Sequence, residues 1–225
     1  MRLSTIILLF CLRVAAAEPI GVGIKIGVPV TENLQAGTGG ATHEFLSSAT
    51  KTRRYTLGLT AAIRLPARLG VEIDGLYRRV NYDSSRVIYV SANDAGTISS
   101  WSSAAGNRLD FPVLLRWSPG RRLYLTGGPA FAVYYGFDQR THTIQNLRIA
   151  GYSEGFTTTS EPFEHPVSKG ATFGLGFDAP VGRVHVKPEL RYSHWISAAF
   201  LGVISPQPTT NEVEFLLGVE FGGRR

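Results

Sequence analysis

Ile20-Gly21-Val22-Gly23-Ile24-Lys25-Ile26-Gly27-Val28-Pro29-Val30 carries an apolar side chain at every second position, with glycine, lysine or proline between. A period of two sends alternate side chains to opposite faces of an extended strand. One face of this strand is continuous hydrocarbon, and the other carries one charge and almost no bulk.

Seven further segments repeat the pattern. Tyr55, Leu57, Leu59, Ala61, Ile63 and Leu65 alternate with Arg54, Thr56, Gly58, Thr60, Ala62 and Arg64. Leu69, Val71, Ile73 and Tyr77 stand opposite Gly70, Glu72, Asp74 and Arg78, and Leu109, Phe111, Val113, Leu115 and Trp117 opposite Arg108, Asp110, Leu114 and Arg116. Leu123, Leu125, Pro129, Phe131, Val133 and Tyr135 are interleaved with Tyr124, Thr126, Gly128, Ala130, Ala132 and Tyr134. Ala171, Phe173, Leu175, Phe177 and Ala179 alternate with Thr172, Gly174, Gly176 and Asp178. Val184, Val186, Leu190 and Tyr192 face away from His185, Lys187, Glu189 and Arg191, and Val213, Phe215, Leu217, Val219 and Phe221 away from Glu212, Glu214, Gly218 and Glu220. Helical spacing is nowhere sustained. Pro112, Pro129 and Pro188 interrupt three runs and predict a bulge or an unpaired position at each.

The connections alternate in length. Leu65 to Leu69, Ser118 to Arg122 and Pro180 to Arg183 are tight turns, whereas 31–53, 83–106, 138–168 and 195–211 are long and polar. Short turns at one end and long loops at the other are the arrangement of a transmembrane barrel. The expectation is an all-β, eight-stranded antiparallel up-and-down barrel with periplasmic turns and extracellular loops.

Alternation alone fits a soluble barrel or sandwich equally well. Three features point the apolar face outward. On the polar faces eight cationic residues (Lys25, Arg54, Arg64, Arg78, Arg108, Arg116, Lys187, Arg191) meet eight anionic ones (Glu72, Asp74, Asp110, Asp178, Glu189, Glu212, Glu214, Glu220); enclosed charges must be paired, solvated ones need not be. The same faces are crowded with glycine, which weakens a strand but leaves room inside a narrow cylinder. Aromatic residues gather at the ends of the apolar faces, Trp117 and Phe221 at the turn side and Tyr55, Tyr77, Tyr135, Tyr192 and Trp195 at the loop side, as at lipid–water interfaces.

Residues 1–17 read as a signal peptide: Arg2, an apolar core from Ile6 to Leu12, and Ala15-Ala16-Ala17 before Glu18, with cleavage between Ala17 and Glu18. The barrel domain is then 18–225. Cys11, the single cysteine, falls in the removed segment, so disulfide, thiolate-metal and cysteine-nucleophile chemistry are excluded from the mature chain. Without Arg2 and Arg13 the formal charge of +6 falls to +4, and no basic run exceeds two residues, which argues against nucleic acid as a partner.

Gly27-Val28-Pro29, Leu109-Asp110-Phe111-Pro112-Val113-Leu114-Leu115, Gly127-Gly128-Pro129 and Pro188-Glu189-Leu190-Arg191-Tyr192 together resemble the porin-family, PorT-like outer-membrane β-barrel domain, similar in size to OmpA and OmpX. The resemblance implies residence in the bacterial outer membrane, with lipid and the barrel assembly machinery as partners. Phe215, Leu217, Val219 and Phe221 also resemble the C-terminal assembly signal of such barrels, although Gly222 to Arg225 extend past its usual end.

An eight-stranded interior is just wide enough for side chains to fill it. Lys25, Arg64, Glu72, Asp74, Arg116, Asp178, Lys187, Glu189, Arg191 and Glu214 are the expected interior charge network, with His185 as a hydrogen-bonding member. The reading is a non-enzymatic barrel with a structural or adhesive role and an unidentified extracellular ligand on its loops. A lipid A-modifying enzyme and a narrow ion-conducting path remain as alternatives. For the enzyme, His194 and Ser197 are three residues apart and would point to opposite sides of a strand, and His142, His165 and Asp138 are loop-side candidates without triad spacing. His43, His142, His165, His185 and His194 show no paired metal-ligand spacing, and no cofactor is implied. Gly37 to Gly40 and Thr157-Thr158-Thr159-Ser160 read as exposed, adaptable loop surface.

Overall fold

The computed structural model describes residues 20–32, 37–41, 43–50, 55–90, 95–160, 166–196 and 209–221. The expected signal segment with Cys11, Ala17 and Glu18, together with Arg54, His165, Ser197 and Gly222 to Arg225, lies outside them.

Among the described residues twelve strands follow one another: β1 (Gly21–Pro29), β2 (Gly37–Ala41), β3 (Glu44–Thr50), β4 (Thr56–Leu65), β5 (Leu69–Val90), β6 (Gly96–Trp117), β7 (Leu123–Leu147), β8 (Gly151–Ser160), β9 (Val167–Phe177), β10 (Ala179–Val181), β11 (Val184–Trp195) and β12 (Asn211–Phe221). Eight of them, β1, β4, β5, β6, β7, β9, β11 and β12, pair antiparallel in that order, and β12 pairs back onto β1. The sheet closes on itself and these eight staves have no free edge, the condition for backbone to cross hydrocarbon with strands.

The tight turns sit at the end where β12 finishes. The first has three residues between the paired Leu65 and Leu69, and two of them, Ala67 and Arg68, have positive φ (64° and 63°), the backbone of a primed turn. Arg68 is held there by its guanidinium on the Pro119 carbonyl at 2.7 Å and by its own carbonyl, which accepts from the Ser118 amide at 2.9 Å.

Three stretches expected as loops are largely sheet. A tilted strand crosses a bilayer with about 9–11 residues, whereas β5 and β6 have 22 each and β7 has 25. Their far halves stand outside the lipid, joined by the β2–β3 hairpin on β5 and by β8 on β7. Both faces of this extension meet water, so its sequence lacks the alternation that marks the staves; the Thr157 to Ser160 run is strand β8 and Gly37 to Gly40 belongs to β2.

Each of the three prolines falls beside an interrupted rung. Pro112 lacks one toward β5, Pro129 toward β6 and Pro188 toward β9, while the rungs on either side keep the same register. No bulge is needed at any of them. The shift between β6 and β7 lies instead at Ala105/Asn107, opposite Gly136 with φ +60°. This bulge reverses the alternation of β7: Tyr135 points out, Phe137 is buried within, and Asp138 points out again.

Glycine makes room inside. A Cβ on Gly128 would lie 2.1 Å from the Val113 carbonyl oxygen, whereas one on Gly218 would make ordinary contact at 3.5 Å with Lys25. Gly128→Ala should therefore destabilise the barrel by about 1–3 kcal/mol, the range for overpacking, and Gly218→Ala much less. Urea unfolding of the two vesicle-inserted variants checks the difference, and equal midpoints would refute the packing argument.

Candidate functional site

The alternation places charge inside and hydrocarbon outside. Leu59 is 68% and Leu175 52% exposed, while Arg108 is 0% and Glu72 1% exposed. A soluble protein inverts that relation.

The interior charges form three tiers. Nearest the turns, Arg116 Nη2 meets Asp178 Oδ2 at 3.3 Å and His185 Nδ1 meets Asp178 Oδ1 at 2.7 Å. Lys187 pairs with Glu220, and Arg64 approaches Glu220 at 3.6 Å. The Arg116 guanidinium also covers the Tyr124 ring at 3.8 Å, a cation–π contact in a desolvated setting. In the middle tier the Lys25 ammonium donates to Glu72, to Asp74 at 2.9 Å and to Glu189 at 3.2 Å. Arg191 donates to Asp74 at 2.8 Å and to Glu189 at 2.9 Å, and the Thr126 hydroxyl adds a third donor to Glu189.

The third tier is built from residues of four staves. Arg78 meets Asp110 at 2.8 Å and Glu214 at 3.1 Å, and Thr56 donates to Glu214. Arg108 contacts Asp110 at 2.6 Å and grips both oxygens of Glu212 at 2.6 and 3.0 Å. Above it Val80, Tyr82, Ala104 and Phe137 close the barrel, with the Tyr82 and Phe137 rings stacked at 5.6 Å. The ten residues expected in the network face inward in three ion-paired groups: Lys25, Glu72, Asp74, Arg116, Asp178, Glu189 and Arg191 in one, Arg64 and Lys187 on Glu220 in the second, and Glu214 with Arg78, Arg108, Asp110 and Glu212 in the third.

Phe215, Leu217, Val219 and Phe221 lie together on the outer face of β12. Trp195 does not join the outer aromatic girdle. Tyr192 and His194 point outward on β11, so Trp195, one position on, points in; it is 6% exposed and lies under Arg108 at 4.6 Å. Of the loop-side aromatics expected in the girdle, Tyr55, Tyr135 and Tyr192 are exposed.

A second cluster stands on the extension. The paired registers place Ser47, Ser85, Trp101, His142 and Phe156 in one row across β3, β5, β6, β7 and β8. His142 stacks on Phe156 at 4.3 Å with the rings 4° apart, and Trp101 lies 5.8 Å from His142. His142 Nε2 meets Glu154 at 2.7 Å, and Tyr152 donates its hydroxyl to the same carboxylate at 2.9 Å. The Tyr152 hydroxyl first, and His142 second, hold the Glu154 carboxyl below its usual range. Beside the rings lies a cavity of about 640 Å³ edged by Asp83, Ser103, Arg140 and Thr158. Of this cluster the sequence reading singled out His142, as a catalytic candidate, and Thr158, within a run read as exposed loop surface. The strand pairing that gathers the rest leaves no mark in the Ser-rich run 99–103.

Among the described residues no helix is long and apolar enough to cross a membrane, and the chain crosses with strands. No family model and no curated protein matches the chain. Among solved structures it is similar to the outer membrane protein OprG from Pseudomonas aeruginosa, at 15% identity and a TM-score of 0.49, over 90% of this chain and 93% of that one. It is also similar to Neisserial surface protein A (12% identity, 92% and 98% covered, TM-score 0.29) and to the attachment invasion locus protein Ail of Yersinia pestis (12%, 89% and 97%, TM-score 0.28). A closed ring of eight antiparallel staves, with a hydrocarbon exterior and a paired ionic interior, makes this chain a bacterial outer-membrane β-barrel.

Proposed function

We propose that this barrel is a non-enzymatic surface protein with a structural or adhesive role, held by its lipid-facing belt and working through the sheet it raises beyond the membrane. The supporting observation is the interior itself. Three tiers of paired side chains and an aromatic cap occupy the space through which a solute would pass. The likeness to porins is then one of scaffold, not of pore. Residues 1–17 act as the export signal, cut between Ala17 and Glu18, and Phe215, Leu217, Val219 and Phe221 present the assembly signal.

The folded protein reconstituted in a planar bilayer should show no unitary conductance steps. Reproducible steps abolished by boiling the sample would replace this reading with the narrow-channel one. Mass spectrometry of lipid A from cells with and without the protein should show identical acylation; a lost or gained acyl chain would make it an enzyme.

A further inference from the structure

We propose that the outer face of the extension, centred on Trp101, His142 and Phe156, is a saccharide-binding groove for the pyranose headgroup sugars of the outer-leaflet glycolipid, an assignment that rests on the outer-membrane reading above. The three rings stand side by side because their residues share one register row on β6, β7 and β8. They are open to solvent, Trp101 being 47% and Phe156 79% exposed. Glu154 fixes the plane of the middle ring by its contact with His142. The next row toward the membrane is Asp83, Ser103, Arg140 and Thr158, on the same face. Together the two rows edge the cavity of about 640 Å³.

This mixture of groups selects its ligand. A pyranose has an apolar C–H face and a rim of hydroxyls: the face packs on aromatic rings, and the rim finds the carboxylate acceptor of Asp83, the guanidinium donors of Arg140 and the flanking hydroxyls. An acyl chain would bury the Arg140 guanidinium against hydrocarbon, at a large desolvation cost.

The direction the groove faces selects the source. On β5 the outward set runs from Leu69, Val71, Ile73 and Tyr77 to Asp83 and Ser85 without a break in alternation, and on β6 from Leu115, Phe111 and Leu109 to Ser103 and Trp101. On β7 the bulge at Gly136 restores Arg140 and His142 to the outward side. The groove is thus the continuation of the lipid-facing surface above the belt. It looks sideways across the leaflet, where the covalently attached sugars of neighbouring glycolipids stand.

The test uses the full protein folded in phospholipid nanodiscs and titrated by calorimetry with core oligosaccharide released from lipopolysaccharide by mild acid, with chitotriose as a comparison sugar. Saturable binding of the core oligosaccharide is expected, weakened at least tenfold by Trp101→Ala or Phe156→Ala and retained in Trp101→Phe. Heat-modifiable migration of each sample reports separately whether the barrel is folded. Folded barrel without saturable binding, or with Trp101→Ala and Phe156→Ala both binding as wild type, overturns the groove and leaves the barrel intact. Binding of chitotriose but not of core oligosaccharide overturns the assigned source. Failure of the unaltered protein to enter the discs or to show heat-modifiable migration overturns the outer-membrane reading on which the groove depends.

Discussion

Arg108→Met is expected to destabilise the folded barrel by about 3–5 kcal/mol, the cost of breaking a buried ion pair by removing one partner. The side chain is wholly enclosed and makes three hydrogen bonds to two carboxylates, those of Asp110 and Glu212. Methionine fills most of the volume and removes the charge, so among the described residues Asp110 and Glu212 keep Arg78 as their ion-pair partner. The rings of Trp195 and Tyr134, 4.6 and 5.4 Å from the guanidinium, lose their cation as well. Arg108→Lys should fall between, since an ammonium keeps the charge but not the planar fork that grips both oxygens of Glu212. Adding Asp110→Asn and Glu212→Gln to Arg108→Met should recover much of the loss, because neutral partners no longer need a cation. Urea midpoints in lipid vesicles measure all four proteins. A single variant as stable as wild type, or a triple variant no better than the single, would remove the ionic tiers from the account of what holds the interior together.

The staves were legible because each separates two unlike solvents. Hydrocarbon outside and packed charge inside force strict alternation from Ile20 to Val30 and from Val213 to Phe221, and the balance of charge on the polar faces indicated which side was enclosed. Where both faces meet water that constraint lapses. Residues 97–105 are Thr, Ile, Ser, Ser, Trp, Ser, Ser, Ala and Ala, a run that reads as loop, yet every one of them pairs with β5. Trp195 was misplaced for a related reason: it lies past the last clearly apolar outward position of β11, so an aromatic ring near the boundary resembled a girdle residue. Its packing on Arg108 is a contact between strands far apart in the chain, and no local pattern announces it. Gly136 likewise carries no sequence mark that distinguishes a bulge from an ordinary small residue, though it decides which side His142 occupies. The ionic residues were readable as a set. Their division into tiers was not, because partners such as Lys25 and Glu189 are brought together only by closure of the ring.

Leu217→Arg tests the orientation of the faces directly. Leu217 pairs with Ile26 on one side and Pro188 on the other, and shares its outward face with Phe215 and Val219, midway along β12. A cationic side chain on the lipid face costs about 2–4 kcal/mol at the midplane and about 0–1 near the interfaces. Leu217→Arg should therefore insert poorly and unfold at markedly lower urea, whereas Phe221→Arg, at the turn-side end of the same strand and the same face, should stay close to wild type. Both positions are sheet residues with apolar neighbours, so strand propensity predicts no such contrast; depth in hydrocarbon does. In a water-soluble barrel of this geometry both sites would be wet, and arginine would be tolerated at 217 as readily as at 221. Equal, normal folding of the two variants in the absence of detergent would show that no bilayer surrounds this face.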